Sequence, residues 1–246
     1  MHRFYTDCGR VNVNDIVLIE GQDVNHIKNV LRLSVGEHII ICNGEGYDYN
    51  CVINSINKDY VEALVEEENL NQAELDLKVT LFQGAPKKDK MEFIIQKAVE
   101  LGVYEIYIVI TKRTVVKFDN QGKEDKKIQR WQSIAESAAK QSGRGIIPKI
   151  KGIISFKEAV KLSKDTDMAI IPYEKADDME KTREVFKKIG KAPSCSVFIG
   201  PEGGFSEEEI ALSEENNIIP VTLGKRILRT ETAGMAVMSV IMFNAE

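Results

Sequence analysis

Two glycine-rich turns in the last third of the chain hold the residues best suited to bind a ligand and act on it. The first, Ile199-Gly200-Pro201-Glu202-Gly203-Gly204, ends the apolar run Val197-Phe198-Ile199. It leads through Ser206 and Glu209, at the spacing of a capping box, into a helix. Gly203 and Gly204 let backbone amides approach a ligand with no side chain in between. The second turn runs from Leu223 and Gly224 through Leu228, Arg229 and Thr230 into a helix that opens with Glu231, Ala233, Gly234 and Ala236. Small residues on that helix mean that something packs very close to it. Arg229 and Glu231 place a cation and a carboxylate where the loop meets the helix, although Arg-x-Glu there also reads as a local ion pair. Neither turn has the Gly-Lys-Ser/Thr ending of a P-loop or the G-x-G-x-x-G spacing, so no phosphate cradle is implied. A pair of such turns predicts one concave pocket built largely from backbone. A third segment, Gln132 to Arg144, pairs Glu136 with Lys140 at i, i+4 and crowds Gln141, Gly143 and Arg144 at a helix end. Its simplest reading is a surface helix end with a glycine cap.

The elements that must position these groups fall into two rhythms. The first 70 or so residues read as β, with apolar stretches at 16–19, 37–42, 49–56 and 60–65. Gly44-Glu45-Gly46 predicts a hairpin turn. One short helix, capped by Asp23, presents Ile27, Val30 and Leu31 on a single face. A small β-barrel with one helix fits, and the acidic stretch 66–72 suits a linker. From residue 75, strands at 77–83, 104–110, 168–172, 196–199 and 221–223 alternate with helices at 89–101, 126–142, 174–189, 206–216 and 230–243. A further helix falls within 153–164. This alternation predicts an α/β unit with a mostly parallel sheet and helices on both faces.

Composition sets outer limits. The chain has 246 residues, 43% hydrophobic and 29% charged, which suits one large or two ordinary globular domains. Residues 1–72 carry 5 Lys/Arg against 12 Asp/Glu, whereas 73–246 carry 28 against 26. The net charge of −5 argues against coating nucleic acid by bulk charge. It leaves room for local basic clusters at Lys87, Lys88 and Lys90, at Lys112, Arg113 and Lys117, and at Lys123, Lys126, Lys127 and Arg130. Each cluster taken alone reads as a solvated face. The four cysteines and three histidines lack metal-ligand spacing, so no metal is expected. No apolar stretch reaches the roughly 18–20 residues of a membrane span, and the start lacks the build of a signal peptide. The cytoplasm is the expected compartment.

Five segments in order resemble the RsmE-like 16S rRNA (uracil-N3)-methyltransferases of the SPOUT superfamily: Asn25-His26-Ile27 with Val30-Leu31-Arg32, Lys90 to Val103, Glu136 to Arg144, Ile199 to Gly204, and Leu228 to Thr232. The likeness runs nearly end to end. It implies a PUA-like β-barrel that binds RNA over 1–72 and a SPOUT methyltransferase domain with a trefoil knot over 73–246. It also implies a homodimer acting on 16S rRNA of the small ribosomal subunit, with S-adenosylmethionine as cofactor. By the same resemblance Ile199, Gly200, Pro201, Glu202, Gly203, Leu223, Gly224, Leu228, Thr230 and Ala233 line the cofactor site. Arg229, assisted by Arg144, would stabilise charge on the uracil, and Glu231 or Glu136 would take its N3 proton. His26, Lys28 and Arg32, with Lys87, Lys88, Lys90, Lys112 and Arg113, would contact RNA. The competing readings are a methyltransferase for tRNA or another rRNA base and a non-catalytic RNA-binding or assembly factor.

Overall fold

The computed structural model describes the chain apart from Lys88, Asp119, Asn120 and the side chain of Gln121. Two compact units result: Met1–Glu74 with Ala139–Ile147, and Leu75–Ala138 with Pro148–Glu246.

In the first unit, β1 (His2–Tyr5), β2 (Ile16–Glu20), β3 (His38–Cys42), β4 (Tyr47–Ile56) and β5 (Tyr60–Leu70) form a sheet in the order β1-β3-β4-β5-β2. β1 lies parallel to β3, and the other neighbours are antiparallel. Ile39, Ile41, Tyr49, Cys51, Ile53, Val61, Ala63 and Val65 turn to one side and are buried. Their period of two is what a half-buried sheet requires. Gly44 and Gly46, with φ of 76° and 100°, make the turn between β3 and β4.

Three local expectations change here. The acidic stretch 66–72 is no linker: β5 continues to Leu70, with Asp48 opposite Asn69 and Asn50 opposite Glu67. Glu67 accepts from Asn50, and Glu68 from Arg10, so the carboxylates stand on the solvent side of a paired strand. Asp23 does not cap the helix. It lies inside α1 (Gln22–Asn25), whose N-cap is Gly21. α1 runs on into a π turn, His26–Leu31. That wider turn rotates the face, so Ile27 is fully buried while Val30 is 64% exposed. β1, four residues with little periodicity, is absent from the sequence reading and exists through its pairing with β3.

The segment Ala139–Ile147 is stitched into this unit. The Tyr5 hydroxyl donates to the carbonyls of Ala139 and Arg144. The Gly46 N–H donates to Gly145 O at 3.0 Å, and Asn71 Nδ2 to Gly143 O at 3.2 Å.

The second unit is built on β6 (Lys78–Gly84), β7 (Val103–Ile110), β8 (Lys149–Ser155), β9 (Met168–Pro172), β10 (Ser194–Ile199) and β11 (Ile219–Val221). These strands form a sheet in the order β11-β9-β10-β6-β7-β8, with every described pairing parallel. The helices are α2 (Lys90–Glu100), α3 (Gln121–Ser142), α4 (Phe156–Leu162), α5 (Met179–Ile189), α6 (Glu207–Glu215) and α7 (Thr230–Ala245). On one face, α4 and α6 cover a cluster of Phe82, Phe156, Phe198 and Phe205. The rings of Phe82 and Phe198 stack at 4.7 Å. On the other face α7 packs against α2, α5 and β10. The expected α/β architecture is therefore present, with three shifts. The last strand is 219–221 rather than 221–223, an edge position where Pro220 costs little. α5 starts only at Met179, where Asp178 caps it through the Lys181 N–H, so residues 173–178 form a loop. β8 is an edge strand that the sequence reading lacks.

Candidate active site

Parallel strands deliver their loops to one edge of the sheet, and a large cavity opens there. It measures about 920 Å³ and is lined by the loops that follow β9, β10 and β11, together with the start of α7. All ten residues expected around a cofactor line it: Ile199, Gly200, Pro201, Glu202, Gly203, Leu223, Gly224, Leu228, Thr230 and Ala233. The third wall, Pro172 to Met179, is a loop where the sequence predicts the start of a helix over 174–189. The Asp178 N-cap is the local signal that would have found it.

Close packing explains why these turns are rich in glycine. A Cβ on Gly84, at the end of β6, would lie 2.6 Å from the Pro201 nitrogen. One on Gly200 would lie 3.1 Å from Gly204 Cα. Gly204 and Gly224 have φ of 65° and 97°, values that side chains rarely tolerate. The loops after β10 and β11 are tied together by Thr230: its hydroxyl donates to Gly200 O at 2.6 Å and accepts from Gln83 Nε2 at 2.9 Å. The capping box at Ser206 and Glu209 is formed as expected.

One ammonium of the cavity lies between two carboxylates. Lys90 Nζ lies 3.3 Å from Glu202 Oε1 and 3.2 Å from Glu231 Oε2. Glu202 also accepts the Lys87 N–H. Burial works to raise the Glu202 pKa, yet its own N–H, that of Lys87 and the Lys90 ammonium together hold it below the ordinary value. Glu231, against some opposing desolvation and with help from Glu202, raises the pKa of Lys90. Lys90, expected to touch RNA, is thus spent inside the pocket. Glu231 pairs with Lys90 and not with Arg229. Arg229 occupies the N-cap of α7, is exposed on the rim and has no ion pair among the described residues. A cation and the positive end of a helix therefore meet at one point, a place suited to developing negative charge.

The remaining expected residues are dispersed. Arg144 does not line this cavity. It is 3% exposed in the first unit, and its Nε and Nη2 lie 3.2 and 2.6 Å from the Glu74 carboxylate. Glu74 also accepts the N–H groups of Gly145 and Ile146, so this pair shapes a loop. Glu136 is half-buried on α3. Lys140 turns to Asp23 at 3.7 Å instead of forming the expected pair with Glu136. Lys112 Nζ donates to Glu208 and Arg113 Nη1 to Gly203 O, while both side chains stay exposed. Lys87 is exposed, and Lys88 lies outside the described residues. In the first unit, His26 and Arg32 are exposed and Lys28 Nζ donates to Asn57 O.

Comparison with known proteins gives this geometry a family. The sequence is 35% identical to the ribosomal RNA small subunit methyltransferase E of Bacillus subtilis, over 100% of this chain and 98% of that protein. The chain belongs to the ribosomal RNA small subunit methyltransferase E family. The E-type methyltransferase of Mesomycoplasma hyopneumoniae is 33% identical over 96% of both chains. A crystal structure of the Neisseria gonorrhoeae family member bound to S-adenosyl methionine superposes with a TM-score of 0.82 at 34% identity, covering 97% of this chain and 95% of that one. A putative methyltransferase from Legionella pneumophila, also with bound cofactor SAM, gives 0.81 at 31% identity, covering 97% and 96%. The RNA methyltransferase domain matches residues 73–242 and the RNA methyltransferase PUA domain residues 19–66. The match to the RNA methyltransferase domain thus spans every cavity residue named above.

Proposed function

We propose that this chain transfers a methyl group from S-adenosylmethionine to N3 of a uridine in 16S ribosomal RNA of the small subunit. The observation that carries this reading is the cavity of about 920 Å³, lined by both glycine-rich loops, with Arg229 exposed on its rim and without an ion pair among the described residues. Its size falls within the roughly 300–1,000 Å³ of small-molecule sites. Its main-chain donors and acceptors suit an adenine edge and an amino-acid carboxylate. Bound there, S-adenosylmethionine supplies an electrophilic methyl on a sulfonium. The chain's own task is to hold the uracil in line and to support the charge that spreads to O2 and O4 once N3 loses its proton. Arg229 fits that task, because an exposed guanidinium at a helix N-terminus strengthens its hold as the anion develops. Glu231 is the carboxylate nearest this point in sequence, and we assign it the proton, with Lys90 holding its side chain in place. The target uridine must be unpaired or flipped, since pairing blocks N3.

We further infer that residues 1–72 form the RNA-binding PUA-like domain and 73–246 the SPOUT-type catalytic domain. His26 and Arg32 would supply a distal grip and Lys87, Lys112 and Arg113 phosphate contacts, all of them exposed. We infer a trefoil knot at the cofactor loops. It is supported by a strand order that carries the chain back past β6 and by the packing of α7 on α2 and α5. A homodimer is favoured by α2 and α7, which both leave large apolar side chains outside: Phe93, Val240 and Phe243. The cytoplasm follows from the substrate, and no helix among the described residues is long and apolar enough to cross a membrane.

Two measurements test the reading: calorimetric titration with S-adenosylmethionine, and methylation of small subunits purified from a deletion strain with the modified base mapped by mass spectrometry. Cofactor binding and N3-methyluridine are expected. Binding without transfer would leave a non-catalytic RNA-binding or assembly factor. Transfer elsewhere would move the target to another rRNA or tRNA base.

A further inference from the structure

A second cavity, of about 350 Å³, lies in the methyltransferase unit, and nothing so far gives it a role. Residues 85–87 and 89–92 form a wall shared with the first. Ala85, Pro86, Asp89 and Met91 face the second cavity, while the Lys87 N–H and Lys90 Nζ hold Glu202 in the first. The same cavity is lined by two aromatic rings, Phe118 and Trp131, and two cations, Lys127 and Arg130. Lys127 Nζ rests 4.9 Å from the Phe118 ring centre and has no ion pair among the described residues. Arg130 Nε is 2.8 Å from Glu92 and its side chain is largely exposed. Lys123 lies on the same helical face as Lys127 and Arg130, at i, i+4 and i+7.

We propose that this cavity binds an unstacked nucleobase of the RNA, a neighbour of the target uridine. The inference rests on the proposed methylation of RNA. A uridine that leaves its stack to expose N3 deprives the next base of a stacking partner. An aromatic cavity sharing a wall with the cofactor site restores one. Ring faces take any base by stacking, and the cations at the mouth take the phosphate that travels with it. Glu92 is already neutralised by Arg130, so Lys127 is the charge left for the backbone. The Asp89 carboxylate accepts from a base N–H or amino group.

Trp131 is the only tryptophan in the chain, so its fluorescence reports on this cavity alone. The probe is a short, single-stranded, uridine-rich RNA titrated into the full-length protein with S-adenosylmethionine present. Binding is followed in parallel by the anisotropy of a label on the RNA. A saturable change in Trp131 emission that tracks the anisotropy is expected. Phe118→Ala should weaken RNA binding about tenfold, with thermal stability and calorimetric cofactor binding unchanged. Lys127→Gln should lower the slope of log affinity against log salt by about one. RNA that binds by anisotropy with no change at Trp131, and equally well to Phe118→Ala, overturns the proposal while leaving the methyltransferase reading intact. Cofactor binding with no RNA binding at all overturns both the RNA reading and the subsite. Emission that depends on protein concentration without RNA assigns the cavity to a second copy of the chain and overturns the proposal as well.

Discussion

Arg229 and Glu202 sit in the same cavity, yet their surroundings suit them to different work. Arg229 has an exposed guanidinium and a helix N-terminus behind it. Its value should appear only as negative charge grows on the uracil. Arg229→Ala should therefore lower the rate of methyl transfer by about 10²–10³ and leave calorimetric cofactor affinity within about twofold. Glu202 is held by the Lys87 N–H and by Lys90, which join its loop to the start of α2. Its pKa is lowered on folding, so its contribution is present above the ordinary carboxylate value and is lost as pH falls through the lower, folded one. Thermal melts of wild type and Glu202→Gln should differ near neutral pH and converge once pH has fallen well below the ordinary carboxylate value. A difference that persists in acid would show that the carboxylate charge is irrelevant to the loop. Arg144 shows how far residue type alone can mislead. Its place at a helix end suits a catalytic cation, but burial beside Glu74 makes it a fastening. Arg144→Met should leave that carboxylate without its partner and destabilise the first unit by about 3 kcal/mol, read from its melting transition.

The elements that were legible in the sequence are those whose instructions are local. The capping box at Ser206 and Glu209, the glycines at 44 and 46, and the apolar run 196–199 each carry their own signal within a few residues. Elements set by a neighbour were not legible. β1 exists by pairing with β3, and the acidic end of β5 by pairing with β4. The π turn moved Val30 to solvent through a backbone geometry that side-chain spacing does not encode. The coupling between the two cofactor loops is also an affair of elements. One hydroxyl, on Thr230, joins α7 to the loop after β10 and to Gln83 of β6. Thr230→Val keeps the side-chain shape and removes both bonds. It should lower cofactor affinity roughly tenfold and stability by about 1–2 kcal/mol, measured by calorimetry and denaturant melts. Unchanged affinity would mean that the loops hold their shape without this tie.

For the molecule as a whole, the exposed apolar face of α2 and α7 bears on how many copies act together. α2 and α7 pack on each other and on the sheet, yet Phe243 is 82% exposed and Phe93 and Val240 are partly so. Large apolar side chains on two adjacent helices are costly to leave in water. Phe243→Glu should convert a dimer to monomer in sedimentation equilibrium and reduce methyl transfer, with little change in the melting temperature of the monomer. A wild-type protein that sediments as a monomer would remove this face from consideration.

Alone, the sequence determined the α/β alternation, the two glycine turns and the capped helix that follows the first, while the ten residues around the cavity came through the family resemblance. It could do so because glycine freedom, helix capping and hydrophobic period act over a few neighbouring residues. Only the tertiary structure decided what each charge is for. It spent Lys90 on two carboxylates, buried Arg144 against Glu74, left Arg229 on the rim without an ion pair among the described residues, and added the loop after β9 as a third wall. Electrostatic pairing depends on which strands lie side by side, and in a parallel sheet those strands are far apart along the chain.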